Sequence, residues 1–231
     1  MVTQSMNSQL DRPSRFSEAE RLAVYRAIAG RRDVRRGFLD RPLEEELLGR
    51  LLAAAHSAPS VGLMQPSRLI VVRDYNIRKK VHEVFETANR KAAASYSDER
   101  ANLYSGLKLE GILEAPQNLC VLCDAGSGRG HGLGRQTMPE TALYSTVCAI
   151  QNLWLAARSE GVGVGWVSIL DPAPLYELLR IPDHLTLVAY LCLGYVESFA
   201  AEPDLERFGW ETRMELKSVV SYDRYAEEPG R

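Results

Sequence analysis

Two hydrophobic rhythms divide this chain. Apolar residues that recur every three to four positions predict helices, and apolar residues that alternate or run together predict strands. Ser17-Glu18-Ala19-Glu20 is a capping box. The helix it opens sets Leu22, Tyr25 and Ala29 beside Val24 and Ile28, and Gly30 ends it as a C-terminal cap. Pro42 opens a second helix over 42–58, with acids in its first turn. Residues 68–74 read as a strand, 76–96 as a long helix, and 98–115 as a looser, more polar helix that Pro116 ends. A second strand follows at 118–124, then a mostly apolar and hence central, buried helix over 139–161. The glycine-containing run 162–169 is a strand, 172–181 a short helix and 185–196 a last strand.

Four or five strands alternate irregularly with at least six helices, which predicts an α+β fold rather than a doubly wound sheet. No internal repeat and no linker break the pattern. The expected organisation is a flexible polar tail over 1–15 and one domain over 16–231. From about residue 202 the chain is polar, with few core residues before 216–225, and reads as a C-terminal arm that wraps a partner subunit.

The 231 residues carry a net charge of −2, with 45% hydrophobic and 25% charged positions. That balance argues against nucleic-acid or membrane partners. No apolar run reaches the roughly 18–20 residues of a membrane span, and the N-terminus lacks the apolar core of a signal peptide. A cytoplasmic protein is expected. Cys120 and Cys123 form a C-x-x-C, but on a strand positions i and i+3 face opposite ways. With Cys148 and Cys192 they read as buried, reduced structural thiols. No metal-ligand spacing, no H-E-x-x-H and no G-x-S-x-G occurs, so no metal is expected and acyl transfer loses ground. The alternating glycines of 126–134 do not satisfy G-x-G-x-x-G and read as a mobile surface turn, which excludes a Rossmann site.

One charge cluster stands out on this nearly neutral chain. Arg31, Arg32, Arg35 and Arg36 surround Asp33 within residues 30–38. Guanidinium forks bind phosphate oxygens bidentately; a solvated basic turn after a helix is the alternative. Two stretches favour a ligand. Residues 58–66, APSVGLMQP, form a small-residue loop in which Ser60 and Gln65 offer hydrogen bonds. Gly163 and Gly165 in a strand mark close approach of a ligand or another backbone.

Together these stretches resemble the FMN-binding nitroreductase family, through Arg31-Arg32-Asp33-Val34-Arg35, Pro59-Ser60 with Met64-Gln65-Pro66, and Gly163 to Ser168. Two departures are informative: Asp33 stands where most nitroreductases carry Ser or Thr, and Met64 where the loop usually has Asn. With residues 105–111, 143–169 and 181–184, they make the chain similar to the 5,6-dimethylbenzimidazole synthase branch, over nearly its whole length from Phe16.

The resemblance implies a central, mainly antiparallel sheet flanked by helices, and a homodimer with flavin at the subunit interface. It implies that reduced FMN is consumed with O2 to give 5,6-dimethylbenzimidazole and erythrose 4-phosphate, with no metal. Arg31, Arg32 and Arg35 would hold the phosphate and ribityl end, with Val34 beside them and Arg213 of the arm as a further cation. Ser60, Gln65 and Leu109 would line the ring, and Gly165, Trp166 and Val167 would present main-chain groups to it. Asp33, kept charged by its cations, would accept protons or else only orient the arginines. Ser168 would bond an oxygen adduct or a ribityl oxygen, or else be an ordinary strand serine. A lid over 96–112 would exclude water and block nicotinamide, leaving reduction to a separate NAD(P)H-dependent flavin reductase. The alternatives are an NAD(P)H-dependent nitroreductase or flavin dehalogenase, and a non-catalytic flavin carrier.

Overall fold

Helix α1 (Glu18–Gly30) begins at the complete capping box its sequence predicts: Glu20 N–H donates to Ser17 Oγ, and Ser17 N–H donates back to the Glu20 carboxylate at 2.9 Å. Its end differs from expectation. Gly30 is an ordinary last helical residue, and the chain leaves in extended form through Arg31 at φ −67°. The terminal carbonyls find side chains instead: Arg158 Nε donates to Gly30 O at 2.8 Å, and Arg32 Nη1 to Ala29 O at 2.9 Å. A left-handed glycine cap is then unnecessary.

The computed structural model describes residues 15–226, so the tail expected over 1–15 lies, but for Arg15, outside the described residues. The remaining helices are α2 (Glu45–His56), α3 (Tyr75–Ala93), α4 (Asp98–Gly106), α5 (Thr141–Ser159), α6 (Pro172–Leu179) and the single turn α7 (Asp204–Arg207). α2 starts at Glu45 rather than Pro42, because extended backbone at Glu44 lets Leu43 reach the core. α4 stops at Gly106, well before Pro116. Buried Arg78 donates to the carbonyls of Ile112, Leu113 and Ala115, and Glu110 accepts from Ile112 N–H at 2.6 Å. These side-chain bonds replace the helical ones over 107–116.

Four strands, β1 (Ser67–Val72), β2 (Gln117–Cys123), β3 (Val162–Val167) and β4 (Thr186–Tyr195), form one sheet in the order β1-β2-β4-β3 with every pairing antiparallel. This is the expected α+β architecture. All seven residues of β2 are buried, because helices cover both faces. Leu119 and Val121 pack with Leu47, Leu51, Ile150 and Leu153 of α2 and α5. Cys120 and Leu122 pack with Val81 and Phe85 of α3 and Leu175 of α6. Each fully buried Leu or Phe of this kind contributes about 1.5–3 kcal/mol.

Cys120 and Cys123 do face opposite ways, the latter towards Met64 and Ala142. Burial pushes the Cys120 thiol up to about 12. Cys148, however, is exposed, because α5 buries only the face bearing Ala149, Ile150 and Leu153. Tyr144 and Val147 are open to solvent, as are Leu22, Val24, Tyr25 and Ile28 of α1, which buries no residue at all. No helix is long and apolar enough to cross a membrane among the described residues.

The arginine segment is an extra strand in all but length. Val34 N–H donates to Val164 O at 3.0 Å, and Asp33 bridges Val164 in parallel along the free edge of β3. The glycines of that strand permit it. A Cβ on Gly165 would lie 2.0 Å from the Val34 carbonyl oxygen, and one on Gly163 would lie 3.2 Å from the Val34 side chain. Gly165→Ala therefore pushes the segment off the edge. It should lower the unfolding free energy by about 1–3 kcal/mol, seen as a lower urea midpoint; an unchanged midpoint would contradict so close a contact.

Candidate functional site

The arginine segment is held from behind by α5. Trp154 Nε1–H donates to the Arg32 carbonyl at 3.1 Å, and the Arg31 guanidinium lies 5.0 Å from the centre of the Trp154 ring. One turn on, Arg158 anchors Gly30. Neither Trp154 nor Arg158 was singled out from the sequence. Their signal is two long amphipathic side chains at i and i+4 on an otherwise apolar helix.

So anchored, Asp33 points both carboxylate oxygens at donors. Oδ1 accepts from the Trp166 backbone N–H at 2.9 Å, and Oδ2 from Arg35 Nη2 at 2.5 Å. The cations do not prevail as the sequence suggests. Burial pushes the Asp33 carboxyl above its usual range, against the opposing pull of Arg35, the Trp166 N–H and Arg31. Loss of water around the charge outweighs the donors that replace it.

Arg32, Asp33, Val34 and Arg35 line a cavity of about 390 Å³, closed on its far side by residues 197–207. Behind its surface Arg32 Nε and Arg35 Nε are buried with no hydrogen-bond partner. Unpaired buried guanidinium nitrogens are costly, so these residues fit an anionic group such as the phosphate of FMN. Arg36 extends the arginine wall and Arg207 stands on the far side, and both pair with Asp204, at 3.7 and 2.8 Å. Sequence reasoning counted Arg36 in the cluster but assigned no role to Asp204 or Arg207.

The other expected site residues lie elsewhere. Ser60 Oγ accepts from Gln65 N–H at 3.0 Å, and this loop lines a separate, smaller cavity with His56 and Ser145. Met64, at the position of the usual Asn, is fully buried and faces the core. The glycine-rich turn, expected to be mobile, is packed on this loop: a Cβ on Gly130 would sit 2.6 Å from Gly62 O, and Arg129 donates to Gln65 Oε1 at 3.2 Å. Ser168 is exposed and opens onto a third cleft, about 840 Å³, between α3 and α6. Val167 buries its side chain among the α3-side core residues, and Leu109 packs against them. Arg213 is exposed, with its Nε 4.0 Å from Glu206.

The segment expected as a lid is tied down within its own chain. Tyr104 donates to Asn89 Oδ1 at 2.7 Å, and Tyr96 and Tyr104 pack against Trp210, whose carbonyl accepts from Arg100 at 2.6 Å. The first part of the C-terminal arm thus folds back on its own subunit. Beyond it Met214, Leu216, Val219, Tyr222 and Tyr225 are exposed. Among the described residues no three His, Cys, Asp or Glu side chains are grouped to hold a metal.

An antiparallel sheet between helical layers, with a guanidinium-lined cavity beside a glycine strand, defines the class. Residues 28–195 match the nitroreductase family, and the chain belongs to it. Within that family it stands with the 5,6-dimethylbenzimidazole synthases. It is 49% identical over 183 residues to the one from Rhodospirillum rubrum, spanning 79% of this chain and 86% of the relative. It is 41% identical over 199 residues to one from Rhodobacter capsulatus, spanning 86% of this chain and 96% of the relative. The resemblance read from the sequence is borne out. Among solved structures, an oxidised iodotyrosine deiodinase bound to FMN and 3-iodo-L-tyrosine superposes with a TM-score of 0.70 at 22% identity, covering 87% of this chain and 100% of that one. It shows a shared fold.

The raised Asp33 carboxyl has a thermodynamic signature. Folding favours its protonated form, so the stability it contributes is present at acid pH. That contribution is lost as pH rises from the ordinary carboxylate range through the folded value. Asp33→Asn removes the loss. Its stability relative to the parent should climb through that window and then level off, measured by urea unfolding from acid to neutral pH; a fall would reverse the sign assigned to burial.

Proposed function

We propose that this oxidoreductase breaks down reduced FMN in the presence of O2, releasing 5,6-dimethylbenzimidazole and erythrose 4-phosphate. The observation that carries the reading is Asp33. Family membership alone supports flavin binding, and simple hydride transfer has no use for a carboxylate in a guanidinium-lined cavity. Asp33 is fixed by Trp166 N–H and Arg35, and burial moves its carboxyl towards neutrality. A proton acceptor works best when its pKa approaches the working pH. Fragmentation of a ring system and its ribityl chain requires repeated proton removal, which an acceptor so held can perform.

FMN, when bound, supplies the redox chemistry and is itself the substrate. Arg32 and Arg35, which line the cavity, would hold its phosphate, and Arg31 would add charge beside them. The Gly165–Val167 main chain, whose Trp166 N–H donates to Asp33, would flank the ring. Reduction falls to a separate NAD(P)H-dependent flavin reductase, which supplies the FMN already reduced. A cytoplasmic setting suits the free thiols Cys120, Cys123, Cys148 and Cys192.

The second half of the site comes from a second copy of the chain. α1 and α5 pack together and leave the apolar side chains of Leu22, Tyr25, Ile28, Tyr144 and Val147 exposed on their solvent faces. Pairing of two such faces brings the Ser60–Gln65 loop of one copy to the arginine cavity of the other. The exposed apolar residues of 214–225 extend the contact. Val147→Glu should yield monomers by light scattering, with benzimidazole formation reduced at least about tenfold; a fully active monomer would refute the shared site.

Mixing the protein with FMNH2 in air should give 5,6-dimethylbenzimidazole by mass spectrometry. Asp33→Asn should cut the yield by roughly 10²–10⁴-fold while flavin affinity stays within a few-fold. Rapid NADPH turnover on a nitroaromatic with no benzimidazole would favour the reductive reading that the deiodinase-like fold also accommodates. Intact FMN recovered without turnover would indicate a carrier.

A further inference from the structure

Arg36 and Arg207 come from opposite walls of the arginine cavity, yet both guanidinium groups converge on one carboxylate and one ring. Asp204 pairs with Arg36 at 3.7 Å and Arg207 at 2.8 Å. The same two guanidinium carbons lie 5.3 and 4.7 Å from the centre of the Phe208 ring. The Asp204 side chain is only 14% exposed. Two stacked arginines around a single acidic group are the arrangement that grips a phosphate, and here a side chain of the protein occupies it.

The charge in the cavity points the same way. Arg32, Arg35, Arg36 and Arg207 face Asp33, Glu197, Glu202 and Asp204 around it. Asp33 is committed to Arg35 and the β3 backbone, so the balance is set by the arm. With the arm acids in place the cavity is close to neutral, a poor host for a dianion. The arm is held there by the segment it neutralises, since the Ala201 carbonyl accepts from Arg32 Nη2 and Asp204 binds Arg36.

Resting on the flavin reading above, we propose that Asp204 is a specificity-determining residue. Its carboxylate acts as a placeholder anion between Arg36 and Arg207, surrendering both to the terminal phosphate of the substrate. A phosphate dianion brings more charge and more acceptor oxygens than the carboxylate it displaces. A flavin that ends in a hydroxyl brings neither and leaves the pair closed. Arg36 and Arg207 thereby become phosphate ligands in addition to the arginines of the family motif. Selection of FMN over riboflavin then rests on a competition within the protein as well as on attraction.

The test uses oxidised FMN and riboflavin, which bind without turnover, titrated by flavin fluorescence against the full-length protein, Asp204→Asn and Arg36→Gln. Asp204→Asn should bind FMN at least tenfold more tightly and riboflavin within about twofold of the parent. Inorganic phosphate should compete with FMN at correspondingly lower concentration. Arg36→Gln should lose at least fivefold in FMN affinity with riboflavin unchanged, and it decides the matter if Asp204→Asn does not fold. Unchanged or weaker FMN binding by Asp204→Asn, or an unaffected Arg36→Gln, overturns the placeholder while leaving the flavin reading intact. A parent protein that binds no FMN overturns both. Tighter FMN binding by Asp204→Asn with no benzimidazole from the parent keeps the placeholder and removes only the proposed reaction.

Discussion

The hydrogen bond from Val34 N–H to Val164 O holds the rest of the site in place. It lays residues 33–34 along the edge of β3, and only a hydrogen-sized side chain at Gly165 lets the two backbones come so close. Once that pairing exists, the Trp166 N–H meets the Asp33 carboxylate and the arginines on either side of it are carried to the cavity wall. Trp154 and Arg158 reinforce it by occupying the carbonyls of Arg32 and Gly30. A backbone edge bond thus becomes a constraint on chemistry, because a carboxylate fixed at both oxygens cannot swing away to solvent.

Burial decides how that carboxylate behaves. Four guanidinium groups within six residues suggest an acid held firmly ionised. Yet Arg32 spends its nitrogens on the carbonyls of Ala29, Arg31 and Ala201, and Arg36 is engaged by Asp204. Only Arg35 contacts Asp33 directly, and the protein around the pair excludes the water that would otherwise stabilise the charge. The same accounting explains why the cluster can sit on a nearly neutral chain: its charge is matched at short range by the arm, not by the protein as a whole.

The architecture also separates what a flavin would need together. The arginine cavity, the Ser60–Gln65 loop and the Ser168 cleft are three different openings in one subunit. Meanwhile α1 and the outer face of α5 turn side chains such as Tyr25 and Val147 out to solvent. A chain that leaves binding elements apart and apolar faces open has the form expected of half a site, which is why the functional reading invokes a second copy.

Much of this was legible in the residues alone. The Ser17–Glu20 box and the alternation of β2 depend on neighbours a few positions away, and the glycine at 165 marks a close approach by its own lack of a side chain; each is realised. The family likeness was legible for a related reason: its motifs are short and their order along the chain is kept. Other features depend on atoms distant in sequence. Arg78 unwinds 107–116 by taking its carbonyls, Leu43 delays α2 by entering the core, and Cys148 is exposed because α5 buries one face only. The direction of the Asp33 shift and the pairing of Asp204 with Arg36 belong to the same class. Desolvation and ion pairing are set by which segments meet in space, and in this protein only the folded chain brings residues 33, 166 and 204 to one place.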